Sequence, residues 1–226
     1  MATSDLVTGI VEDPVAAVAA TRATEPATDL ATDLADRVLQ LVADRARAGG
    51  GPPRPVVVGF DGRSGAGKTL LAAGVGVRLE PVVEVAAVSL EPLYRGWHGL
   101  AAGTRLWSEQ VLPALAAGRA AEYAAWDWQA GRHGPTVRLR PAGVVLAEGV
   151  GVGVRAARAA LDLLVWLDVP AAVRRRRALA RDGTGYARWW DAWAQQEAEL
   201  LAADPIHRAA GLVVSGGGLG PGVCEA

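Results

Sequence analysis

The sequence predicts an α/β domain built on a doubly wound parallel sheet. Near-continuous apolar runs, which are typical of strands buried on both faces, alternate with segments of helical periodicity. The strand-like runs are 56–60, 82–90, 143–148, 163–169 and a short "LVV" at 212–214. The first run leads through a glycine-rich turn into a helix. A chain of 226 residues is long enough to bury one such core.

Helical segments are predicted between these strands. Apolar residues recur with helical spacing from Leu30 to Val42, and this helix should end before the breaker-rich "AGGGPPRP". Further helices are predicted at about 69–79, 104–117, 154–160, 170–182 and 186–203. The resulting division is a disordered tail (1–28), one domain (29–216) and a flexible C-terminal tail (217–226).

Composition excludes several classes of protein. The formal net charge of −1 gives no electrostatic reason to expect nucleic acid or an anionic membrane as partner. The single cysteine, Cys224, excludes an internal disulfide and a cysteine-based zinc site. The N-terminal residues lack the basic and apolar regions of a signal peptide, and no apolar run is long enough for a membrane span. A cytoplasmic location is therefore expected.

The stretch "GRSGAGKT", residues 62–69, matches G-x-x-x-x-G-K-[ST] and lies between a predicted strand and a predicted helix. Its glycines allow the backbone to curl and direct N–H groups at phosphate oxygens, and the helix N-terminus adds positive potential. Lys68, the sole lysine, would contact the terminal phosphates, and the Thr69 hydroxyl would bind Mg²⁺. The residues predicted to bind ATP are Gly62, Arg63, Ser64, Gly65, Ala66, Gly67, Lys68, Thr69 and Leu70.

The absence of asparagine narrows the class of nucleotide-binding protein. A GTPase of the Asn-Lys-x-Asp type needs an asparagine, and so does the catalytic loop of protein kinases. A small-molecule kinase, a motor-type ATPase and a non-catalytic ATP-binding protein remain open.

The order of motifs resembles the uridine kinase-like group of P-loop kinases, over residues 34–214. The segments that carry the resemblance are "GFDGRSGAGKT" (59–69), "SLEPLY" (89–94), "WDW" (126–128), "VVLAEGV" (144–150), "LLVWLDVP" (163–170) and "VRRRRALARDG" (173–183). The resemblance implies a P-loop NTPase fold with a small lid at about 174–188.

The resemblance implies roles for two carboxylates at strand ends. Glu91 stands where such kinases have an aspartate that accepts the proton of the attacking hydroxyl. It is one methylene longer, and Pro92 follows it, so a role in Mg²⁺ binding or as a strand-end charge stays open. Glu148 would support Mg²⁺, whereas Asp61 is a weaker candidate that could only brace the turn.

The acceptor side and the lid are also implied by the resemblance. The residues expected to contact the acceptor are Tyr94, Trp97, Trp126, Asp127 and Trp128. In the lid, Arg177 and Arg181 share one helix face with Arg174 and would clamp the phosphates, while Arg175 and Arg176 face solvent.

The last long helix is expected to pack on the core through Trp189 and Trp193. Its acidic residues, Glu197 and Glu199, are expected at the surface. The catalytic residues implied overall are Lys68, Glu91, Arg177 and Arg181, with Thr69 and Glu148 binding the metal.

The function implied is transfer of the γ-phosphate of ATP, with Mg²⁺, to a hydroxyl of a small molecule. The favoured acceptor is the 5′-hydroxyl of a pyrimidine nucleoside, with pantothenate or a sugar as alternatives. A regulatory ATP-binding protein with little catalytic activity is the other interpretation, because Glu91 and Pro92 depart from the family pattern.

Overall fold

The computed structural model describes residues 25–49 and 54–215, so most of the predicted N-terminal tail, and the C-terminal tail with Cys224, lie outside the described residues. The strands are β1 (Val56–Asp61), β2 (Val85–Ser89), β3 (Ala121–Asp127), β4 (Arg132–Leu139), β5 (Val144–Glu148), β6 (Leu163–Asp168) and β7 (Leu212–Ser215). Five of them form one sheet in the order β2-β5-β1-β6-β7, and every neighbouring pair is parallel. The predicted parallel α/β sheet is confirmed.

The helices lie mainly where the sequence predicts them. They are α1 (Glu25–Ala48), α2 (Lys68–Leu79), α3 (Leu100–Leu106), α4 (Leu112–Ala116), α5 (Ala171–Ala187), α6 (Trp190–Ala203) and α7 (Ile206–Ala209). A π-helical segment, Trp107–Val111, joins α3 to α4. The start of α1 at Glu25 lies three residues before the predicted end of the tail at residue 28.

Two apolar layers cover the sheet, one on each face. On one face α1 and α2 pack on β1 through Leu34, Val38, Leu71 and Phe60. On the other face Trp107, Leu112 and Leu115 pack against Val57 and Val145. Because both faces are covered, the strands are apolar throughout rather than alternating, as the sequence pattern indicated.

Two parts of the chain differ from the prediction. The antiparallel hairpin β3–β4 was not predicted, because the alanine-rich β3 has little β-branched character. The predicted helix 154–160 is wrong, since only the 3₁₀ turn Arg158–Ala160 forms there. Arg158 holds this turn by donating from Nε to the carbonyl of Gly153 at 2.9 Å and by an ion pair with Asp204. These tertiary contacts override the helix propensity of the alanines.

The topology brings several loops to one edge of the sheet. The glycine-rich loop 62–67 joins β1 to α2, and the residues after β2 and β5 leave the sheet beside it. This is the carboxyl edge, where the chain order of the strands reverses around β1 and where ligands bind in open parallel sheets. Within the described ranges, no helix is long and apolar enough to cross a membrane.

Candidate active site

The phosphate loop, residues 62–67, has a backbone that requires glycine. Gly62, Gly65 and Gly67 have φ values of 147°, 78° and 98°. A Cβ atom at Gly65 would lie 2.2 Å from the carbonyl oxygen of Arg174, so this position also allows α5 to approach closely. Gly67 is the N-cap of α2 and makes no side-chain cap, which leaves the first N–H groups of the helix available to an anion.

Lys68, immediately after the loop, lines a cavity at this edge of the sheet. Its side chain is buried, and Nζ donates to the carbonyl oxygen of Arg63 at 3.3 Å. An ammonium group that folds back over its own loop can contact phosphate oxygens bound there. The positions of the loop and of Lys68 therefore fit the triphosphate that the motif predicts.

Glu148 accepts hydrogen bonds from two hydroxyl groups at the end of β5. Its Oε2 accepts from Thr69 Oγ1 at 3.1 Å, and its Oε1 accepts from Ser89 Oγ at 2.7 Å. The register of the sheet sets this arrangement, since Glu148 pairs with both Phe60 and Ser89. Hydroxyl and carboxylate oxygens suit Mg²⁺, which keeps few protein ligands and binds phosphate oxygens as well. The residues present thus fit the predicted metal.

Glu91 begins the 3₁₀ turn Glu91–Leu93, two residues after the last residue of β2. Its side chain is open to solvent but lies within the cavity, where the surrounding protein raises its pKa by desolvation. Arg181 lowers the pKa of Glu91, whereas Glu148 and Asp182 raise it further. A carboxylate with a raised pKa, able to meet a ligand hydroxyl, suits a general base.

Asp61, the last residue of β1, is fully buried and serves as a brace. It accepts hydrogen bonds from the backbone N–H groups of Gly62 (2.7 Å), Gly151 (3.0 Å) and Gly153 (2.8 Å). Burial raises the pKa of Asp61 to about 6, against the lowering effect of these N–H groups and of Lys68. Asp61 therefore joins the phosphate loop to the loop after β5, which agrees with the weaker role predicted for it.

The segment predicted as a lid, about 174–188, lies almost wholly in α5, a helix with a break at Gly183. That glycine has φ 66° and ψ −155°, which no helical residue adopts. Just before the break, Arg181 and Asp182 line the cavity and form an ion pair at 2.7 Å. Of the clamp predicted from the sequence, Arg181 therefore lies at the cavity, whereas half-buried Arg177 lies outside the lining.

Arg174, predicted to share the clamp face, instead contacts protein. It is buried and donates from Nε to the carbonyl of Val169 at 3.0 Å and from Nη1 to that of Ser64 at 3.1 Å. Arg175 and Arg176 are exposed, as predicted. Arg174 therefore holds the phosphate loop in place rather than facing the cavity.

Aromatic side chains form much of the remaining wall of the cavity, and one of them, Trp193, also contacts Ser64 of the phosphate loop. Those that line it are Tyr94, Trp97, Trp128, Tyr186 and Trp193. The Trp97 ring stacks with Tyr186 at 5.2 Å and Trp189 at 5.7 Å between centroids, and Trp128 meets it edge-on at 4.9 Å. These residues come from the segment after β2, the β3–β4 hairpin, α5 and α6. The wall therefore forms only when these distant segments come together.

Trp126 and Asp127 are not brought to the cavity. Asp127 Oδ1 accepts hydrogen bonds from the N–H groups of Gln129 and Ala130, which closes the turn between β3 and β4. Trp126 meets His133 of the partner strand edge-on, with 5.5 Å between centroids. Their side chains are thus used within the hairpin, and their contact with an acceptor stays a prediction.

Several residues at the site were missed by the sequence reasoning. Ser89, Asp182 and Tyr186 line the cavity, and Ser89 could have been found as the residue opposite Glu148 in the sheet.

The prediction that Glu197 lies at the surface is wrong: only 1% of its surface is exposed, and it faces the phosphate loop. The polar pattern of α6 around Glu197 carried no signal of this burial. Trp193 does pack on the core, whereas half-buried Trp189 lies just before α6 and stacks on Trp97.

Comparison with known proteins gives matches only among solved structures. No protein-family model matches the chain, and no curated protein matches its sequence. A structure described as a possible uridine kinase from Bacillus stearothermophilus is 20% identical, with a TM-score of 0.55, covering 80% of this chain and 98% of its own. A D-glycerate 3-kinase from Cryptococcus neoformans is 16% identical, with a TM-score of 0.52 over 70% of this chain and 79% of its own.

A third structure, of a protein named YGR205w, has a TM-score of 0.56 at 9% identity, covering 86% of this chain and 94% of its own. These likenesses confirm the predicted fold. The chain has the α/β fold seen in P-loop small-molecule kinases.

Proposed function

We propose that the protein transfers the γ-phosphate of ATP to a hydroxyl of a small uncharged acceptor, most favourably the 5′-hydroxyl of a pyrimidine nucleoside. One observation carries this proposal: a loop for phosphates, a hydroxyl–carboxylate pair for Mg²⁺ and a carboxylate with a raised pKa open into one cavity. The P-loop kinase fold of the structural neighbours supports the same reaction class.

The residues of this chain divide the work of the reaction. The loop N–H groups and Lys68 hold the triphosphate, and Thr69 with Glu148 would hold Mg²⁺, which neutralises phosphate charge when bound. Glu91 orients the acceptor hydroxyl and accepts its proton as the oxygen bonds to the γ-phosphorus. The bond from that phosphorus to the β-phosphate oxygen breaks, and ADP leaves. Arg181 offsets the charge on the transferred group.

The charges of the cavity favour an uncharged acceptor. Its described lining contains three carboxylates, Glu91, Glu148 and Asp182, and two cations, Lys68 and Arg181. Lys68 and Arg181 are both assigned to the nucleotide phosphates, and Arg181 also pairs with Asp182. An acceptor with its own carboxylate, such as glycerate or pantothenate, would meet like charges without a free cation. The aromatic wall instead suits a flat, neutral ring.

The test is phosphoryl transfer from Mg²⁺-ATP to a panel of uridine, cytidine, deoxynucleosides, simple sugars, glycerate and pantothenate. We expect turnover with the neutral nucleosides and none with the two acids. Glu91→Gln should lower kcat by about 10²-fold or more, the scale of losing a general base, while the Kd of Mg²⁺-ATP stays unchanged.

A matched control is Glu84→Gln, which changes an exposed glutamate just before β2 and should leave kcat within about twofold. Tight binding of ATP with no acceptor-dependent turnover would favour a binding protein instead. Turnover of glycerate alone would contradict the uncharged acceptor but leave the kinase reaction in place.

A further inference from the structure

Glu197 is a buried carboxylate whose two oxygens are both used by the phosphate loop and its surroundings. Oε1 accepts from the backbone N–H of Ser64 at 2.7 Å and from Trp193 Nε1 at 3.1 Å. Oε2 accepts from Arg63 Nε at 2.9 Å. Glu197 lies on α6, more than 130 residues along the chain from the loop that it contacts.

Ser64 is held at each of its polar atoms by α5 or α6. Its N–H donates to Glu197, its carbonyl accepts from Arg174 Nη1 at 3.1 Å, and its Oγ accepts from Trp193 Nε1 at 2.9 Å. Within the loop, the Ala66 N–H donates to the carbonyl of Arg63 at 3.1 Å. The first half of the phosphate loop therefore owes its position to groups outside the loop.

The charges around Glu197 are compensated in this arrangement. Arg63 forms an ion pair with it at 2.9 Å, and Arg174 Nη1 lies at 4.0 Å from the same carboxylate oxygen. A buried carboxylate without such partners would be strongly destabilising, and removing it leaves buried donors without an acceptor. The network thus depends on the charge and on both oxygens of Glu197.

The same helix also contacts the acceptor side of the cavity. Gln196 Nε2 donates to the carbonyl of Trp97 at 2.7 Å, and the Trp193 ring meets Tyr94 edge-on at 5.2 Å. Consecutive turns of α6 therefore touch the phosphate loop and the aromatic wall. A small shift of α6 would therefore displace both the phosphate loop and the aromatic wall.

We propose that Glu197 is a positioning residue that fixes Arg63 and Ser64, and with them the phosphate loop, in the conformation that binds nucleotide phosphates. The inference rests on the proposed function in one respect, that this loop binds a nucleotide. It assigns to α6 a role in nucleotide affinity, although Glu197 itself does not line the cavity.

The test compares Glu197→Gln with Glu199→Gln in the full chain, by calorimetric titration with Mg²⁺-ADP and Mg²⁺-ATP. Glu199 is an exposed glutamate two residues further along α6, and it contacts Gln195 only at the surface. We expect Glu197→Gln to raise the Kd of both nucleotides about tenfold or more, because a neutral amide cannot accept from all three donors. Glu199→Gln should stay within about twofold.

Measuring Kd on folded protein, well below the melting temperature of each variant, distinguishes positioning of the phosphate loop from a merely structural role of Glu197. Such a role would lower Tm but leave the Kd of the folded protein unchanged. Trp193→Phe gives a second, uncharged variant, which removes the indole donor shared by Glu197 and Ser64. It should raise both Kd values by a smaller factor, about two- to fivefold, and it keeps the test decisive if Glu197→Gln does not fold.

An unchanged Kd for Glu197→Gln would overturn the proposal, because the loop would then keep its binding conformation without the carboxylate. Tighter binding would overturn it too, since the carboxylate would then act only as a negative charge that repels the phosphates. The test needs no acceptor. Failure to phosphorylate any compound would therefore contradict the proposed function and leave this inference standing. A native chain that binds neither nucleotide would overturn both.

Discussion

The two halves of the cavity are built in different ways. The phosphate side is a short continuous segment whose glycines, lysine and threonine act through backbone geometry, and its buried neighbours hold it tightly. The acceptor side is assembled from the turn after β2, the hairpin, the lid and α6, and its proposed base, Glu91, is open to solvent. Changes on the phosphate side should therefore affect every reaction of the protein, whereas changes on the acceptor side should affect the choice of acceptor.

The largest effect is expected from Lys68→Ala. Lys68 is proposed to contact the terminal phosphates, so removing its charge should lower kcat on the order of 10²–10³-fold for every acceptor, as for other groups that stabilise developing charge. The measurement is the initial rate of ADP formation, with circular dichroism as a check that the variant is folded.

The sole lysine offers an independent check on this prediction. An amine-specific reagent can modify only Lys68 and the N-terminus, and peptide mapping separates the two. Saturating Mg²⁺-ATP should protect Lys68 from the reagent. Equal labelling with and without nucleotide would show that the triphosphate does not bind at this loop.

A smaller, selective effect is expected from Trp97→Ala. Losing the ring that stacks with Tyr186 and Trp189 should raise the KM of the acceptor about tenfold and leave the Kd of Mg²⁺-ATP unchanged. The matched variant is Trp126→Ala, since Trp126 lies outside the cavity lining. A larger rise in KM for Trp126→Ala than for Trp97→Ala would reverse the assignment and favour the contact predicted from "WDW".

The last prediction concerns the pH dependence of stability rather than the reaction rate, and it depends on Asp61. Its pKa in the folded protein is about 6, above the ordinary value of 3.8, so its stabilising contribution is complete below about pH 4 and is lost as the pH rises through 6. Asparagine cannot titrate. Relative to Asp61→Asn, the native free energy of unfolding should fall by up to about 3 kcal/mol between pH 4 and pH 7. Urea unfolding of both proteins across this pH range measures their free energies of unfolding. If the two free energies changed with pH in the same way, Asp61 would not titrate as a buried carboxylate.

The same contrast explains how much the sequence could predict. The phosphate loop, the parallel strands and the strand-end residue Glu148 follow from local patterns, because backbone conformation and strand burial are written in adjacent residues. The aromatic wall does not, since Trp97, Trp128 and Tyr186 meet only after folding. Glu197 shows the limit most clearly, because a glutamate in a polar helical run gives no local sign that two arginines and a backbone N–H will surround it.

Arg174 shows a related limit of sequence-based prediction within α5. Spacing correctly placed Arg174 on the same face of α5 as Arg181, but it could not show that the phosphate loop already occupies Arg174. Periodicity determines which residues share a face, and the element packed on that face determines what they do.

The central claim is that Glu91 receives the proton of an acceptor hydroxyl that faces the γ-phosphate. The most direct measurement is a crystal structure with Mg²⁺, a non-hydrolysable ATP analogue and uridine or cytidine. We expect the terminal phosphate over the 62–67 loop and the 5′-hydroxyl about 2.6–3.2 Å from a Glu91 carboxylate oxygen. An acceptor hydroxyl bound away from Glu91, or an analogue whose phosphates lie outside the loop, would contradict it.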